Sequence, residues 1–362
     1  MRTLDKLTIR NFKSIREQTL EFGRLNIFIG ANGAGKSNLI QVFRFLREIQ
    51  QQNLATYSLQ RGADSLLYFG RKTSRDMEFS LEFSEDEVSD GYHLTLEPTD
   101  EGTLMVAGQA FFFHDRKRFP HPGSESLNMG GSREIGVVSS NIASRGVVGF
   151  LEFFRCYHFH DTSDTAAMKG AGDVEDNRFL RPQAENLAPV LYWLQQKKPD
   201  HFATIQDTIR QIAPFFDEFR LAPSRLNEAK IRLEWKEKGN DAYFNAFALS
   251  DGTLRFICLA TLLLQPELPA LVLLDEPELG LHPAAITLLG DLLSSAATRA
   301  QVIVATQSVT LVNQFDPEQV WTVDREDNQS VFRRLSTQNM DAWLDDYALG
   351  ELWEKNVFGA RP

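Results

Sequence analysis

Residues 30–37 have the composition and spacing of a phosphate-binding loop. They read Gly-Ala-Asn-Gly-Ala-Gly-Lys-Ser and match the pattern G-x-x-x-x-G-K-[ST] at every fixed position. The apolar run Leu25–Ile29 precedes the loop, and residues 36–51 show the apolar spacing of a helix. Glycines let successive backbone N–H groups point at phosphate oxygens, and the start of a helix adds its positive dipole. The residues predicted to contact a nucleotide are Gly30, Ala31, Asn32, Gly33, Ala34, Gly35, Lys36 and Ser37.

Two of these residues have a specific predicted role. Lys36 is expected to reach the β- and γ-phosphates, because the lysine of this pattern follows the glycine-rich turn directly. Ser37 is expected to bind Mg²⁺ through its hydroxyl. The sequence therefore predicts a site for ATP with Mg²⁺.

A second candidate functional motif lies at residues 271–276, where an apolar run ends in Asp275 and Glu276. Ligands of doubly wound sheets bind at the carboxyl ends of the strands. Asp275 is predicted to hold Mg²⁺, directly or through water. Glu276 is one residue further on and points differently, so it is predicted to orient or deprotonate the attacking water.

A third motif, Leu-Ser-Asp-Gly-Thr at residues 249–253, stands directly before an apolar helix. Ser250 and the backbone of Gly252 at a helix N-terminus can form a second anion-binding surface. The same residues can also serve as an ordinary helix cap. The motif lies one helix and one strand before Asp275.

The elements that must position these motifs alternate between strands and helices, which predicts an α/β fold with a mostly parallel core sheet. Short β-like runs after residue 56 predict an antiparallel β lobe and an inserted region. The alternation of residues at 231–235 and at 243–248 predicts two further strands. We expect one domain with an N-terminal P-loop lobe at 1–55, a β-rich and then helical insertion at 56–230, and a lobe with the second and third motifs at 231–362.

The motifs together resemble those of ABC-type ATPase heads of the SMC, RecF and OLD group, which includes compact AAA-family ATPases predicted in bacteria. Residues 7–15 are similar to the opening strand of that group, and residues 275–283 to its Walker B motif and D-loop. Residues 349–353 show a weaker similarity to the compact ATPases predicted in bacteria. The resemblance implies a P-loop NTPase fold of the ABC-head type.

The resemblance also implies roles for single residues. Arg10 and Lys13 would lie near the nucleotide base and phosphates. Ser250, Asp251 and Gly252 would contact the nucleotide of a second copy in a head-to-tail homodimer. Gln307 stands at the switch position, where a histidine is usual. Its amide can hydrogen-bond a γ-phosphate or water but cannot carry a proton, which predicts slow turnover.

The composition bears on contact with nucleic acid, on contact with membranes and on the expected cellular location. The chain has 362 residues, a net charge of −11 and two cysteines, Cys156 and Cys258. Such an acidic chain does not coat nucleic acid through its overall charge, so contact with nucleic acid is expected to be local or indirect. The low cysteine count fits a reducing cytoplasm. The most apolar stretch, at 256–274, is interrupted at 265–267, so no membrane contact is expected.

The predicted function is an ATP-binding and ATP-hydrolysing switch. By resemblance, its homodimer would regulate a separate effector, a nuclease or a toxin, in antiphage defence or DNA repair. One alternative is a transporter-type ATPase subunit. A second is a nucleotide-gated scaffold that does not hydrolyse ATP, which Gln307 favours and Glu276 opposes.

Overall fold

The computed structural model describes residues 2–119, 121, 123–127, 131–135, 154–336 and 346–360. These residues belong to two compact units, the first of residues 1–154 and 316–362 and the second of residues 155–315. Residues 136–153 of the predicted insertion lie outside the described residues. The three lobes expected from the sequence stay a prediction.

The secondary structure of the described residues alternates as an α/β chain does. The strands are β1 Thr3–Phe12, β2 Ile15–Glu21, β3 Leu25–Ile29, β4 Met77–Glu85, β5 Val88–Pro98, β6 Leu104–Asp115, β7 Gly123–Leu127, β8 Phe154–Tyr157, β9 Gly172–Asp173, β10 Phe216–Phe219, β11 Pro223–Ser224, β12 Asn227–Ile231, β13 Glu234–Glu237, β14 Tyr243–Asn245, β15 Leu271–Asp275, β16 Gln301–Thr306, β17 Val320–Glu326 and β18 Gln329–Arg334. The helices are α1 Lys36–Gln50, α2 Leu54–Arg61, α3 Ala63–Leu66, α4 Leu187–Lys197, α5 Pro199–Ile212, α6 Asp251–Leu264, α7 Pro283–Ala297, α8 Val309–Val312 and α9 Leu349–Glu354.

The first unit contains an antiparallel sheet in the order β2-β1-β4-β5-β6-β7. The buried residues of β1 are Leu4, Leu7, Ile9 and Phe12, and its other residues are half-buried or exposed, as expected for a sheet with one face on the core. Phe12 at the end of β1 stacks on Phe45 of α1 with ring centroids 5.7 Å apart, and meets Phe79 of β4 at 5.8 Å. These contacts fix α1 and its first residue, Lys36, against the sheet.

The same unit places β3 beside the hairpin β17–β18. All five residues of β3 are buried, and β3 pairs in parallel with β17 while β17 pairs antiparallel with β18. Phe28 of β3 stacks on Trp321 of β17 with centroids 5.5 Å apart. A strand from late in the chain therefore supports the strand that leads into the glycine-rich loop.

The second unit contains the parallel pair β15 and β16, in register from Leu271 opposite Gln301 to Asp275 opposite Ala305. The first four residues of β15 and all of β16 are buried, and Asp275 is half-buried at the carboxyl end. Two small antiparallel sheets, β10-β13-β14 and β11-β12-β9, complete this unit. No helix in the described parts of the chain has both the length and the apolar character that crossing a membrane requires.

Several predicted elements are confirmed, and two are wrong in detail. The strand at 25–29 and the helix from Lys36 form as predicted. Residues 231–235 are not one strand: Ile231 pairs with β9 and β11, whereas Trp235 pairs with β10 and β14. The strand predicted from Tyr243 ends at Asn245, whose side chain accepts a hydrogen bond from the backbone N–H of Phe247 and so caps a short 3₁₀ helix.

Candidate functional site

The glycine-rich loop lies between β3 and α1, in the strand–loop–helix context that the sequence predicts. Gly35 has a φ of +124°, and a Cβ atom there would overlap the hydroxyl of Ser330. Lys36 is the first residue of α1 and is buried. Its Nζ donates to the carbonyls of Gly30, at 2.5 Å, and Ala31, at 3.1 Å, so the ammonium group turns back onto the loop. Ser37 is exposed in the first turn of α1.

Lys13 lies in the turn between β1 and β2 and lines an open pocket of about 850 Å³ in the first unit. Its ammonium group donates a hydrogen bond to Gln41 of α1. Burial and the nearby charge of Arg61 lower the pKa of Lys13. The other residues that line this pocket are Ser14, Asn38, Asp64, Ser65, Leu67, Phe69, Gly70, Arg71, Lys72, Arg325 and Asn328.

Arg10 is placed differently from Lys13. Its guanidinium pairs with Glu78 of β4, at 2.9 Å, and with Glu17 of β2, at 3.8 Å. Arg10 does not line the pocket that contains Lys13. Lys13 therefore contacts α1, the helix that follows the glycine-rich loop, whereas Arg10 contacts β2 and β4. The predicted contact of Arg10 with a nucleotide stays a prediction.

Glu276 follows β15 in an unusual backbone conformation. Its φ is +45°, a left-handed value that non-glycine residues rarely adopt. Its backbone N–H donates to the carbonyl of Ala305 at 2.7 Å, which completes the last pair of β15 with β16, Asp275 opposite Ala305. The amide of Gln307 donates a hydrogen bond to the Glu276 carboxylate. The structure thus brings together the predicted base and the residue at the switch position.

Glu278, two residues further on, begins the segment that by resemblance would form the D-loop across the dimer, but no role was predicted for its own side chain. Its Oε1 accepts hydrogen bonds from the Thr306 hydroxyl, at 2.6 Å, and from the backbone N–H of Gln307, at 3.1 Å. Burial raises the pKa of Glu278, while these hydrogen bonds act in the opposite direction. Glu278 therefore fixes the segment that carries Gln307.

The Leu-Ser-Asp-Gly-Thr motif forms the N-terminus of α6. Ser250 caps the helix by accepting from the N–H of Thr253 at 3.2 Å, so the helix-cap interpretation of this motif applies. Ser250 and Asp251 are nevertheless exposed at this helix end, and Gly252 abuts Gly280, where a Cβ atom would meet a backbone oxygen. An additional role in binding a nucleotide stays a prediction.

Arg255 of α6 joins three backbone segments of the second unit. It is buried and donates to the carbonyls of Phe159, at 3.0 Å, His160, at 3.1 Å, and Leu279. His160 in turn hydrogen-bonds the backbone carbonyl of Asp275 at 2.7 Å, which requires a proton on its Nε2. The sequence signal for Arg255 is a lone cation inside an apolar helix, which the motif patterns do not include.

The family model "AAA domain, putative AbiEii toxin, Type IV TA system" matches residues 25–313, which is most of the chain. The chain belongs to this family. It is a P-loop ATPase family, and the resemblance stated from the sequence motifs is confirmed.

Relatives of known name match over short segments. The DNA replication and repair protein RecF of Magnetococcus marinus is 39% identical over 85 residues, 22% of this chain and 22% of that protein. RecF of Leptospira interrogans is 31% identical over 102 residues, 24% of this chain and 28% of that protein. The chain therefore matches about a quarter of the length of these relatives.

Solved structures match over nearly the whole chain. An SMC head bound to the C-winged helix domain of ScpA has a TM-score of 0.62 at 16% identity, covering 94% of this chain and 99% of that one. The SMC head of Pyrococcus furiosus with an extended coiled coil, bound to the C-terminal domain of ScpA, has a TM-score of 0.57 at 16% identity and covers 96% and 99%. The predicted α/β fold of a P-loop ABC-type head is confirmed.

The raised pKa of Glu278 predicts how stability changes with pH. The unfolded chain loses this proton near the ordinary value of 4.5, before the folded chain does. The contribution of Glu278 to stability is thus lost as pH rises from that value through the folded pKa. In Glu278→Gln, which keeps an acceptor for Thr306, we expect the melting temperature to fall less than in the wild type between about pH 4 and pH 8.

Calorimetry across this pH range would measure the effect. The exposed Glu228→Gln is the control and should keep the wild-type pH profile. Parallel pH profiles of Glu278→Gln and the wild type would contradict the assignment.

Proposed function

We propose that this chain is an ATP-hydrolysing switch. The observation that carries the proposal is the glycine-rich loop between β3 and α1, with the Lys36 ammonium turned onto the carbonyls of Gly30 and Ala31. A cation held at that place is suited to phosphate oxygens, which would replace the carbonyls as its partners. Membership in a P-loop ATPase family supports the same ligand.

The chain offers suitable ligands for Mg²⁺. The Ser37 hydroxyl is exposed at the start of α1, and the Asp275 carboxylate ends β15. Hydroxyl and carboxylate oxygens are ligands that Mg²⁺ accepts together with phosphates and water. When bound, the ion would neutralise charge that develops on the β- and γ-phosphates.

Glu276 is the proposed general base. The left-handed conformation at this residue aims its side chain differently from the strand that precedes it, and Gln307 donates to its carboxylate. A carboxylate in this place can accept a proton from water as the water attacks the γ-phosphate. The amide of Gln307 orients the carboxylate but takes no proton. Lys13 is proposed to contact the nucleotide from the pocket that it lines.

The regulatory part of the proposal is a head-to-tail homodimer that closes on ATP and acts on a separate nuclease or toxin in antiphage defence or DNA repair. The exposure of Ser250 and Asp251 supports a contact with a second copy. The family description, which names a putative toxin of a toxin–antitoxin system, supports an effector of this kind. Contact with nucleic acid would be indirect, and the proposed location is the cytoplasm.

A scaffold that binds ATP without hydrolysing it is the second candidate. The hydrogen bond between Gln307 and Glu276 favours it, because an amide at the switch position cannot relay a proton. Turnover by the wild type distinguishes the two candidates.

Two substitutions separate binding from hydrolysis. Lys36→Ala removes the cation of the loop, so we expect ATP affinity to fall at least about tenfold. Glu276→Gln removes the base and keeps the shape, so kcat should fall about a hundredfold or more while ATP still binds. Calorimetric titration and phosphate release measure the two effects.

The exposed Lys197→Ala is the control for these measurements and should behave as the wild type. ATP hydrolysis by Lys36→Ala at the rate of the wild type would contradict the assignment of residues 30–37 as the phosphate-binding loop. Binding by the wild type without any hydrolysis would favour the scaffold.

Gln307→His tests whether the switch residue limits turnover. Histidine can hydrogen-bond Glu276 and can also exchange a proton, so we expect kcat to rise about threefold to tenfold with little change in ATP affinity. Steady-state kinetics on both proteins measures this. A kcat that stays the same or falls would show that the missing proton relay does not limit turnover.

The dimer and its effector can be tested with the trapped form. Glu276→Gln with ATP and Mg²⁺ should double in mass by light scattering. When tagged in its host, it should retain a nuclease or toxin that Lys36→Ala does not. Adding Ser250→Arg to the trapped form should prevent the dimer, because a long cation then occupies the exposed helix end.

The matched control is Ser294→Arg, because Ser294 is also exposed in the second unit, and this substitution should leave the dimer intact. A monomeric Glu276→Gln with and without ATP would contradict the homodimer. Retention of membrane subunits in place of a nuclease or toxin would favour the transporter-type subunit.

A further inference from the structure

Ser330 of β18 lies directly against the glycine-rich loop, although it is 296 residues from Ala34 of the loop in sequence. Ser330 is 1% exposed. Its hydroxyl lies 2.5 Å from the carbonyl oxygen of Ala34 and 2.6 Å from the hydroxyl of Ser14. Its backbone N–H donates to the carbonyl of Ser14 at 2.7 Å. The side-chain amide of Asn38, in α1, donates to the Ser14 hydroxyl at 2.6 Å.

The protons of this cluster can be arranged in one direction only. The Ala34 carbonyl has no proton, so the single hydroxyl proton of Ser330 must go to it. The hydrogen bond between the two serines must then use the hydroxyl proton of Ser14. Asn38 supplies the bond to Ser14 from its amide. The result is a chain of donors from Asn38 through Ser14 and Ser330 to Ala34, in which each bond polarises the next.

The end of this chain sets the orientation of one peptide group in the loop. The carbonyl of Ala34 and the N–H of Gly35 belong to the same planar trans peptide and point in opposite directions. A carbonyl that is fixed toward the buried Ser330 therefore fixes the Gly35 N–H away from it. Phosphate binding by such a loop depends on N–H groups that point away from the protein interior. Gly35 also has no room for a Cβ atom, because the Ser330 side chain occupies that space.

We propose that Ser330 is a positioning residue for phosphate binding, which holds the peptide between Ala34 and Gly35 in the orientation that the nucleotide needs. The inference rests on the proposed function, because it assumes that the loop binds ATP. No sequence pattern near residue 330 predicts such a role. The role follows from the contact between Ser330, in the hairpin β17–β18, and Ala34 of the loop. The role is indirect, since Ser330 acts through the loop.

The test compares ATP affinity in Ser330→Ala with that in Ser74→Ala. Ser74 is a buried serine of the same unit whose hydroxyl donates to one backbone carbonyl, that of Tyr68, at 2.6 Å. Ser330→Ala loses two buried hydrogen bonds and Ser74→Ala loses one, so both should lose thermal stability, Ser330→Ala the more. Only Ser330→Ala should bind ATP more weakly, by about tenfold in Kd, with kcat at saturating ATP changed by less than about threefold.

Two further variants strengthen the test. Ser14→Ala should weaken ATP binding as well. The double variant should bind ATP only a little more weakly than Ser330→Ala alone, because both substitutions break the same series of hydrogen bonds. Asn38→Ala removes the first donor at a half-buried position, so it reports on the chain if Ser330→Ala does not fold. It should weaken ATP binding about threefold.

The outcomes distinguish this inference from the proposed function. A wild type that binds ATP no more tightly than Lys36→Ala would overturn the proposed function. A wild type that binds ATP, with Ser330→Ala within twofold of its Kd, would overturn the role of Ser330 alone. An equal loss of affinity in Ser74→Ala would show that general destabilisation explains the effect, and would also overturn it.

Discussion

A phosphate-binding loop must leave its N–H groups for the ligand, so its carbonyl groups need partners within the protein. This constraint organises the first unit. The Lys36 ammonium takes the carbonyls of Gly30 and Ala31 until phosphate oxygens replace them, and Ser330 takes that of Ala34. The turn after β1 and the hairpin β17–β18 are held close to the loop because they supply or orient these donors. Stacking of Phe28 on Trp321 fixes the same hairpin against β3.

In the second unit, buried charged side chains satisfy and orient the backbone around the acidic motif. Arg255 donates to three carbonyls, and Glu278 accepts from Thr306 and from the N–H of Gln307. Several hydrogen bonds to each charge offset part of the cost of taking it out of water. The segments that carry Glu276, Gln307 and the cap residue Ser250 are thereby held by side chains that make no contact with a nucleotide in the proposed mechanism.

The parts of the site that the sequence predicts correctly are local in the chain. The glycine-rich loop, the buried strand before it and the helix after it depend on neighbouring residues, so their pattern can be read directly. Ser330 and Arg255 depend on pairing between distant segments, which no local pattern shows. Residues 231–235 were misjudged because the apolar alternation continues across a break between two sheets. The role of Arg10 comes from a resemblance and stays a prediction, and in the structure Glu78 and Glu17 on the adjacent strands pair with it.

The distance in sequence between Ala34 and Ser330 has a consequence for biosynthesis. The ribosome makes the loop first and the residue that orients it 296 residues later. At about 5–20 residues per second, the interval is roughly 15–60 seconds. During that time the nascent chain carries the complete glycine-rich motif without the hydroxyl that sets its geometry. By the proposed role of Ser330, a nascent chain should therefore bind ATP more weakly until residue 330 has been made and has reached the loop.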